Sequence, residues 1–79
     1  MKFQHVAILT RSPEKSALGE VVEAENFLDF VRKWYFIKDF KDQAEIQELA
    51  DSFTEMNGAD QRKFVCYGEE LIEMIFVVP

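Results

Sequence analysis

The sequence predicts an all-α fold, a small bundle of three to four amphipathic helices. Two observations predict it: apolar residues recur at intervals of three and four positions, and capping residues stand between the apolar runs. The three stripes are Phe27-Leu28-Val31-Trp34-Tyr35, Ile46-Leu49-Ala50-Phe53-Met56 and Phe64-Tyr67-Leu71-Met74-Ile75. Because apolar helix faces need a surface to pack against, the pattern indicates a module that works by association.

The first ten residues are compatible with two elements. Phe3, Val6 and Ala7 fit one face of a helix, whereas residues 6–9 also fit a short buried strand. Periodicity does not separate these alternatives over so few residues, and we favour a helix fragment or an ordered arm.

A helix-start signal follows at Ser12-Pro13. Ser12 is a suitable N-cap, and Pro13 suits the first helical position because its missing N–H is not needed there. We expect a short helix to about Leu18, with Gly19 as its stop.

The next two helices follow from the same rules. One begins among the acids of residues 20–25 and runs to about Ile37. Asp39 then caps a helix over residues 40–56, with Asp42 in a position similar to that of a capping box. Its exposed side carries the usual charged residues of a solvated face.

The last predicted helix covers the C-terminal third of the chain. Asn57-Gly58 ends the preceding helix, because glycine adopts left-handed backbone angles without a Cβ penalty. Asn57 or Asp60 then caps a helix that runs to about Val77. The apolar end, residues 75–79, indicates either a last turn packed on the core or a chain that is part of a longer protein.

Size and charge narrow the functional classes. Seventy-nine residues make one domain, residues 1–79, which is either a whole protein or a fragment of a longer one. Of these residues 48% are hydrophobic, including eight phenylalanines. So short a chain encloses little core, so we expect surplus apolar surface shared with a partner. The net charge of −6 argues against direct nucleic-acid binding. The single cysteine, Cys66, and the absence of a long apolar run favour a cytoplasmic protein without a membrane span.

No residue pattern identifies a reaction, so we expect no enzyme activity and no cofactor or metal. His5 has no recognisable nucleophile beside it in the sequence. Glu69, Glu70 and Glu73 would share one side of a helix and are the alternative, a carboxylate metal site. Di-metal bundles also need a Glu-x-x-His segment, which this chain lacks, and a solvated face is the simpler interpretation.

Aromatic residues mark the expected interface. Trp34, Tyr35 and Phe36 are consecutive and would point in three directions about 100° apart on a helix, too divergent for one small core. Core packing remains the simpler role for Trp34 itself. The residues expected at a protein interface are Trp34, Phe36, Phe40, Phe76 and Val77.

Two segments carry a resemblance to a known family. Residues 61–72, Gln-Arg-Lys-Phe-Val-Cys-Tyr-Gly-Glu-Glu-Leu-Ile, and residues 27–34, with Phe27-Leu28-Asp29-Phe30-Val31 leading to Trp34, resemble the C-terminal domain of the Bacteroidetes clamp-loader delta-prime subunit of DNA polymerase III. The resemblance spans roughly residues 14–76. The chain departs from the family at residues 35–38 and at Glu73, where a basic residue is more usual.

The resemblance implies an all-helical collar domain. Such domains bind one another in a ring and hold the ATPase modules of a clamp loader together during DNA replication. The expected function is therefore a non-catalytic oligomerisation module whose partners are other clamp-loader subunits or further copies of itself. The alternative is a stand-alone, acidic helical regulator that binds another protein through the surface of residues 34–40.

Overall fold

The computed structural model describes residues 1–36, 43–58 and 61–79. In these residues the chain forms one antiparallel sheet of five strands and two α-helices, with a short 3-10 turn at Pro13–Lys15. The strands are β1 (Lys2–Leu9), β2 (Ala17–Glu23), β3 (Thr54–Gly58), β4 (Gln61–Tyr67) and β5 (Leu71–Val78). The helices are α1 (Phe27–Phe36) and α2 (Gln43–Ser52), both between β2 and β3.

The two ends of the chain form the middle of the sheet. The strand order is β2-β1-β5-β4-β3, and every neighbouring pair is antiparallel. β1 and β5 pair along their whole length, from Lys2 opposite Val78 to Leu9 opposite Leu71. β2 and β3 are the edge strands, so the segment with both helices carries the chain from one edge of the sheet to the other.

Both helices pack on one face of this sheet, which we call the covered face. Phe3 of β1 and Ile75 of β5 are fully buried there. The core cluster is Phe3, Ala24, Phe30, Val31, Ile46, Phe53 and Ile75. The rings of Phe3 and Phe30 lie 5.2 Å apart, and Phe27 of α1 stacks on Phe64 of β4 at 3.9 Å. Aromatic stacking of this kind adds to the burial of apolar area that holds the helices on the sheet.

Local hydrogen bonds define the start of α1. The side-chain oxygen of Asn26 accepts the backbone N–H of Asp29 at 2.8 Å, which satisfies one of the free donors of the first turn. The Asp29 carboxylate accepts the N–H of Glu25 at 2.9 Å. This bond, assisted by Lys33, lowers the pKa of Asp29 from its usual value of 3.8.

The predicted all-α bundle is wrong, because the described chain is an α+β fold. Residues 2–9 form a strand, so the preferred helix fragment there is incorrect, and the strand alternative is the one observed. The start signal at Ser12 leads only to the turn at Pro13–Lys15, without a side-chain cap, and the expected helix to Leu18 is replaced by β2.

The two central helices exist but are shorter than predicted. α1 begins at Phe27, because residues 20–23 belong to β2. α2 ends at Ser52, and residues 54–58, expected as the end of that helix and its stop, form β3. The predicted caps Asp39, Asp42 and Asp60 lie outside the described residues.

The predicted C-terminal helix is wrong as well. Its residues form β4 and β5, joined by a tight turn in which the N–H of Gly68 donates to the carbonyl of Leu71 at 2.9 Å. A Cβ at position 68 would lie 2.8 Å from that carbonyl oxygen, so glycine is required by the close approach of the backbone. No helix among the described residues is long and apolar enough to cross a membrane.

Candidate functional site

The second face of the sheet is apolar, and neither α1 nor α2 packs on it; we call it the open face. Side chains alternate between the two faces of a strand, and paired residues share a face. The strand pairing therefore assigns the open face directly. Its residues across the sheet are Val21, Gln4, Phe76, Lys63 and Met56 in one row, Leu18, Val6, Met74, Val65 and Thr54 in the next, and Ile8, Ile72 and Tyr67 in a third.

The exposed large hydrophobic side chains of this face lie on its edge strands and at one of its ends. The side chains of Leu18 and Tyr67 are each 70% exposed, and those of Val21 and Met56 are 49% and 45% exposed. Of the large hydrophobic side chains that are exposed among the described residues, only Met1 lies elsewhere. Exposed apolar side chains that are gathered on one face of a small protein are typical of an interaction surface, whereas singly scattered ones are ordinary.

The open face is separate from the hydrophobic core. None of its residues belongs to the core cluster or to the half-buried residues packed against that cluster. Val65, at its centre, is buried, with Met74 and Thr54 as its neighbours on the adjacent strands. The sheet thus has two apolar surfaces, of which the helices use one.

The charge of the open face differs from that of the whole chain. Among the described residues in the strand pairings of this face, the charged side chains are Lys63 and, at one end of the face, Lys2 and its strand partner Glu23. The Lys63 amine lies 5.6 Å from the centre of the Phe76 ring, within reach of a cation–π attraction. A surface with this little charge suits an apolar protein partner.

A polar cluster lies on the covered face, near the C-terminal end of α1. The His5 ring stacks on Trp34 at 3.9 Å. Its Nε2 atom is 3.4 Å from a carboxylate oxygen of Glu73, without the geometry of a hydrogen bond. The side chains of His5 and Glu73 are only 11% and 17% exposed. The cluster is a buried packing contact in this structure.

Cys66 lies on the covered face of the sheet, next to Ser52 and Glu73. It pairs with Glu73 across β4 and β5, and its sulfur lies 3.6 Å from the Ser52 hydroxyl. Ser52 donates its single proton to the carbonyl of Leu49, so the thiol is the donor in the contact with Ser52. An activated cysteine has a base or a positive charge beside it, which this contact does not provide.

The carboxylates considered for a metal site are separated by the fold. Glu69 and Glu70 lie in the turn between β4 and β5, where Glu70 pairs with Arg11 at 3.1 Å, whereas Glu73 lies on the covered face beside His5. No group of three or more His, Cys, Asp or Glu side chains suited to a metal ion occurs in the described part of the chain.

The predicted interface residues lie on different sides of the molecule. Trp34 is half-buried between His5 and Phe30, and Val77 packs against the core on the covered face. Phe76 lies on the open face. Phe36 is the last residue of α1 and its side chain is not described, and Phe40 lies outside the described residues.

Comparisons of the chain with protein-family models, with curated proteins and with solved structures found no match. Sequence reasoning missed Leu18, Val21, Met56 and Tyr67, whose common feature is their register in the sheet. The available signal was the apolar character of both alternating sets of β5, 71, 73, 75, 77 and 72, 74, 76, 78, in which Glu73 is the only polar residue.

Proposed function

We propose that this protein is a non-catalytic association module that binds a protein partner through the open face of its sheet. The observation that carries the proposal is the arrangement of Leu18, Val21, Met56 and Tyr67, all exposed and all on the same face. A partner that covers this face removes their apolar area from water, which stabilises the complex by roughly 25 cal/mol for each Å².

The charge of the chain supports a protein partner over a nucleic acid. Fifteen acids and nine bases give a net charge of −6, and the charged residues in the described strand pairings of the open face are two lysines and Glu23. Nucleic-acid binding draws on clustered positive charge, because neutralised phosphates release counterions. Two lysines on a mostly apolar surface provide little of that term.

The clamp-loader role remains a prediction from the resemblance alone. Collar domains of that family are helical, whereas this chain presents a sheet, so the fold lends the collar role no support. The association function itself does not depend on helices. We place the contact surface on the open face of the sheet instead of on residues 34–40.

The proposal is tested by cross-linking in cells that express the tagged protein. The double variant Leu18→Lys/Tyr67→Lys places two charges on the open face, and Gln47→Lys places a charge on the exposed side of α2 as a matched control. We expect adducts of the wild type and of Gln47→Lys to be similar, and those of the double variant to fall at least tenfold. Equal adducts from all three proteins would refute an interface on the open face.

A further inference from the structure

We infer that the partner of the open face is a second copy of this chain, and that two copies pack sheet against sheet into a symmetric dimer. The inference rests on the proposed function, because it names the partner of the same surface. The resulting particle has four layers, helices–sheet–sheet–helices, with the two open faces in the middle.

The area of the face matches what a stable dimer needs. Five strands at about 4.8 Å spacing and about seven residues at 3.3 Å per residue give a flat area of roughly 550 Å². Because the side chains project from the sheet, the accessible area of the face is larger than this flat area and approaches the ~800 Å² that each partner buries in a standard protein interface. A surface of this size, apolar over most of its extent, supports a dissociation constant in the micromolar range or below.

The shape of the face suits a second sheet. Two sheets pack about 10 Å apart with strands aligned to within about 30°, and the side chains of the facing surfaces interdigitate. A two-fold axis lets the same patch serve both subunits, so one open face supplies its own complement. The wide side chains of Met74 and Phe76 on β5, the central strand, lie at the middle of such a contact.

Charge placement allows two acidic chains to meet here. The only described carboxylate in the strand pairings of this face is that of Glu23, at its end, where it pairs with Lys2. With the symmetry axis through Met74 and the strands aligned, Lys63 of one copy lies opposite Gln4 or Tyr67 of the other, depending on whether the axis runs along or across the strands. Both can accept a hydrogen bond from the amine, and the two Lys63 residues do not oppose each other.

The edge strands are a weaker route to self-association. β3 has five residues and includes Glu55, and β2 contains an irregularity in its pairing with β1 and carries Glu20 and Glu23. Short length, irregular pairing and charged side chains are features that disfavour edge-to-edge pairing. We therefore place the dimer contact on the face and make edge pairing an outcome of the test.

The test is sedimentation of the full chain over a dilution series, with variants. We expect wild type and Gln47→Lys to be dimers at about 50 µM, Leu18→Lys to raise the dissociation constant at least tenfold, and Leu18→Lys/Tyr67→Lys at least a hundredfold. Both leucine and tyrosine are exposed in the monomer, so these variants should keep the circular dichroism of the wild type. Glu20→Pro and Glu55→Pro block backbone pairing at the edges; if they abolish the dimer while the lysine variants preserve it, the face-to-face dimer is refuted.

A second measurement needs no variant. The methyl groups of Met56 and Met74 lie on the open face, and Met1 lies outside it. We expect the NMR signals of the first two to shift on dilution and that of Met1 to stay. Unchanged signals for Met56 and Met74 between about 1 µM and 1 mM, from a protein that sediments as a monomer over the same range, would overturn the inference.

Failure of this inference is distinguishable from failure of the proposed function. A wild type that stays monomeric to about 1 mM but loses its cellular adducts in the Leu18→Lys/Tyr67→Lys variant refutes the second copy and retains a different protein as the partner. A monomer whose adducts do not depend on the open face refutes both.

Discussion

The two faces of the sheet are built from similar residues but have different surroundings. On β5, Ile75 and Val77 point to the covered face and pack with the core, whereas Met74 and Phe76 point to the open face and are not among the residues packed against that core. Since neighbouring residues on one strand have comparable hydrophobicity, composition does not distinguish them. The covered face therefore stabilises the monomer, and the open face is the surface that we propose for a partner.

The largest expected effect comes from a matched pair of truncations on β5. Ile75→Ala removes a fully buried side chain from the core, which should lower the free energy of unfolding by about 3 kcal/mol. Met74→Ala, one residue away on the open face, should cost about 1 kcal/mol or less in the dilute monomer. Urea denaturation below the dimer dissociation constant measures both values.

The stability costs of the same two variants should depend differently on protein concentration. Dimer formation stabilises the folded chain by mass action, so the cost of Met74→Ala should grow with protein concentration while that of Ile75→Ala, which acts on the monomer, should change little. Equal costs at low concentration would mean that the two faces contribute equally to the monomer and would end the distinction between them.

The turn between β4 and β5 affects both faces at once, because it fixes the register of two strands. Gly68→Ala places a Cβ against the Leu71 carbonyl and should cost about 1–2 kcal/mol by thermal or urea unfolding. Glu69→Ala in the same turn, where the side chain is exposed, should change stability by no more than about 0.5 kcal/mol. A tolerated alanine at position 68 would contradict the tight backbone contact.

The cap of α1 concerns the covered face alone. Asn26→Ala removes the acceptor for the Asp29 N–H and should cost about 1 kcal/mol in unfolding experiments, whereas Asn26→Asp keeps an acceptor and should be nearly neutral. Because α1 lies on the other side of the sheet, neither change should alter the dimer dissociation constant. A large change in that constant would place α1 in the interface.

The smallest effect is the pH dependence from Asp29. Its pKa is lowered in the folded protein by the N–H of Glu25 and by Lys33, so it stabilises the fold above its unfolded value of 3.8, and this contribution is lost as the pH falls through the lowered folded pKa. Asp29→Asn should be slightly less stable than wild type at pH 7, with the difference shrinking as the pH falls below 3.8 and disappearing below the lowered folded pKa. Thermal unfolding between pH 2.5 and 7 measures it, and a difference that persists at the acid end would assign the effect to the altered side chain instead of its charge.

Part of the fold follows from local sequence. The stripes of α1 and the first part of α2 have helical spacing, so both helices were predicted within a few residues of at least one end. The start of α1 was placed too early, among residues 20–25, because the cap at Asn26 was not recognised. The C-terminal third was not. Its apolar residues satisfy the helical spacing and the alternating one equally, since both alternating sets of β5 are apolar.

Two signals favoured strands in that region. Gly68 within a helix costs about 1 kcal/mol relative to alanine, and the predicted helix included it. The region is also rich in β-branched residues, Val65, Ile72, Ile75, Val77 and Val78, which have stiff side chains and fit a pleated sheet. These preferences are weak, and the spacing of apolar residues at three and four positions, which favours a helix, was given more weight.

The sequence alone established that this chain is acidic and rich in apolar residues, and it predicted the two central helices with bounds wider than those observed. Only the tertiary structure decided where these apolar residues lie. β1 and β5 come from opposite ends of the chain, and their pairing aligns side chains that the sequence keeps more than sixty residues apart. The two short helices then cover one side of that sheet, and the other side stays apolar and open because no described element packs against it.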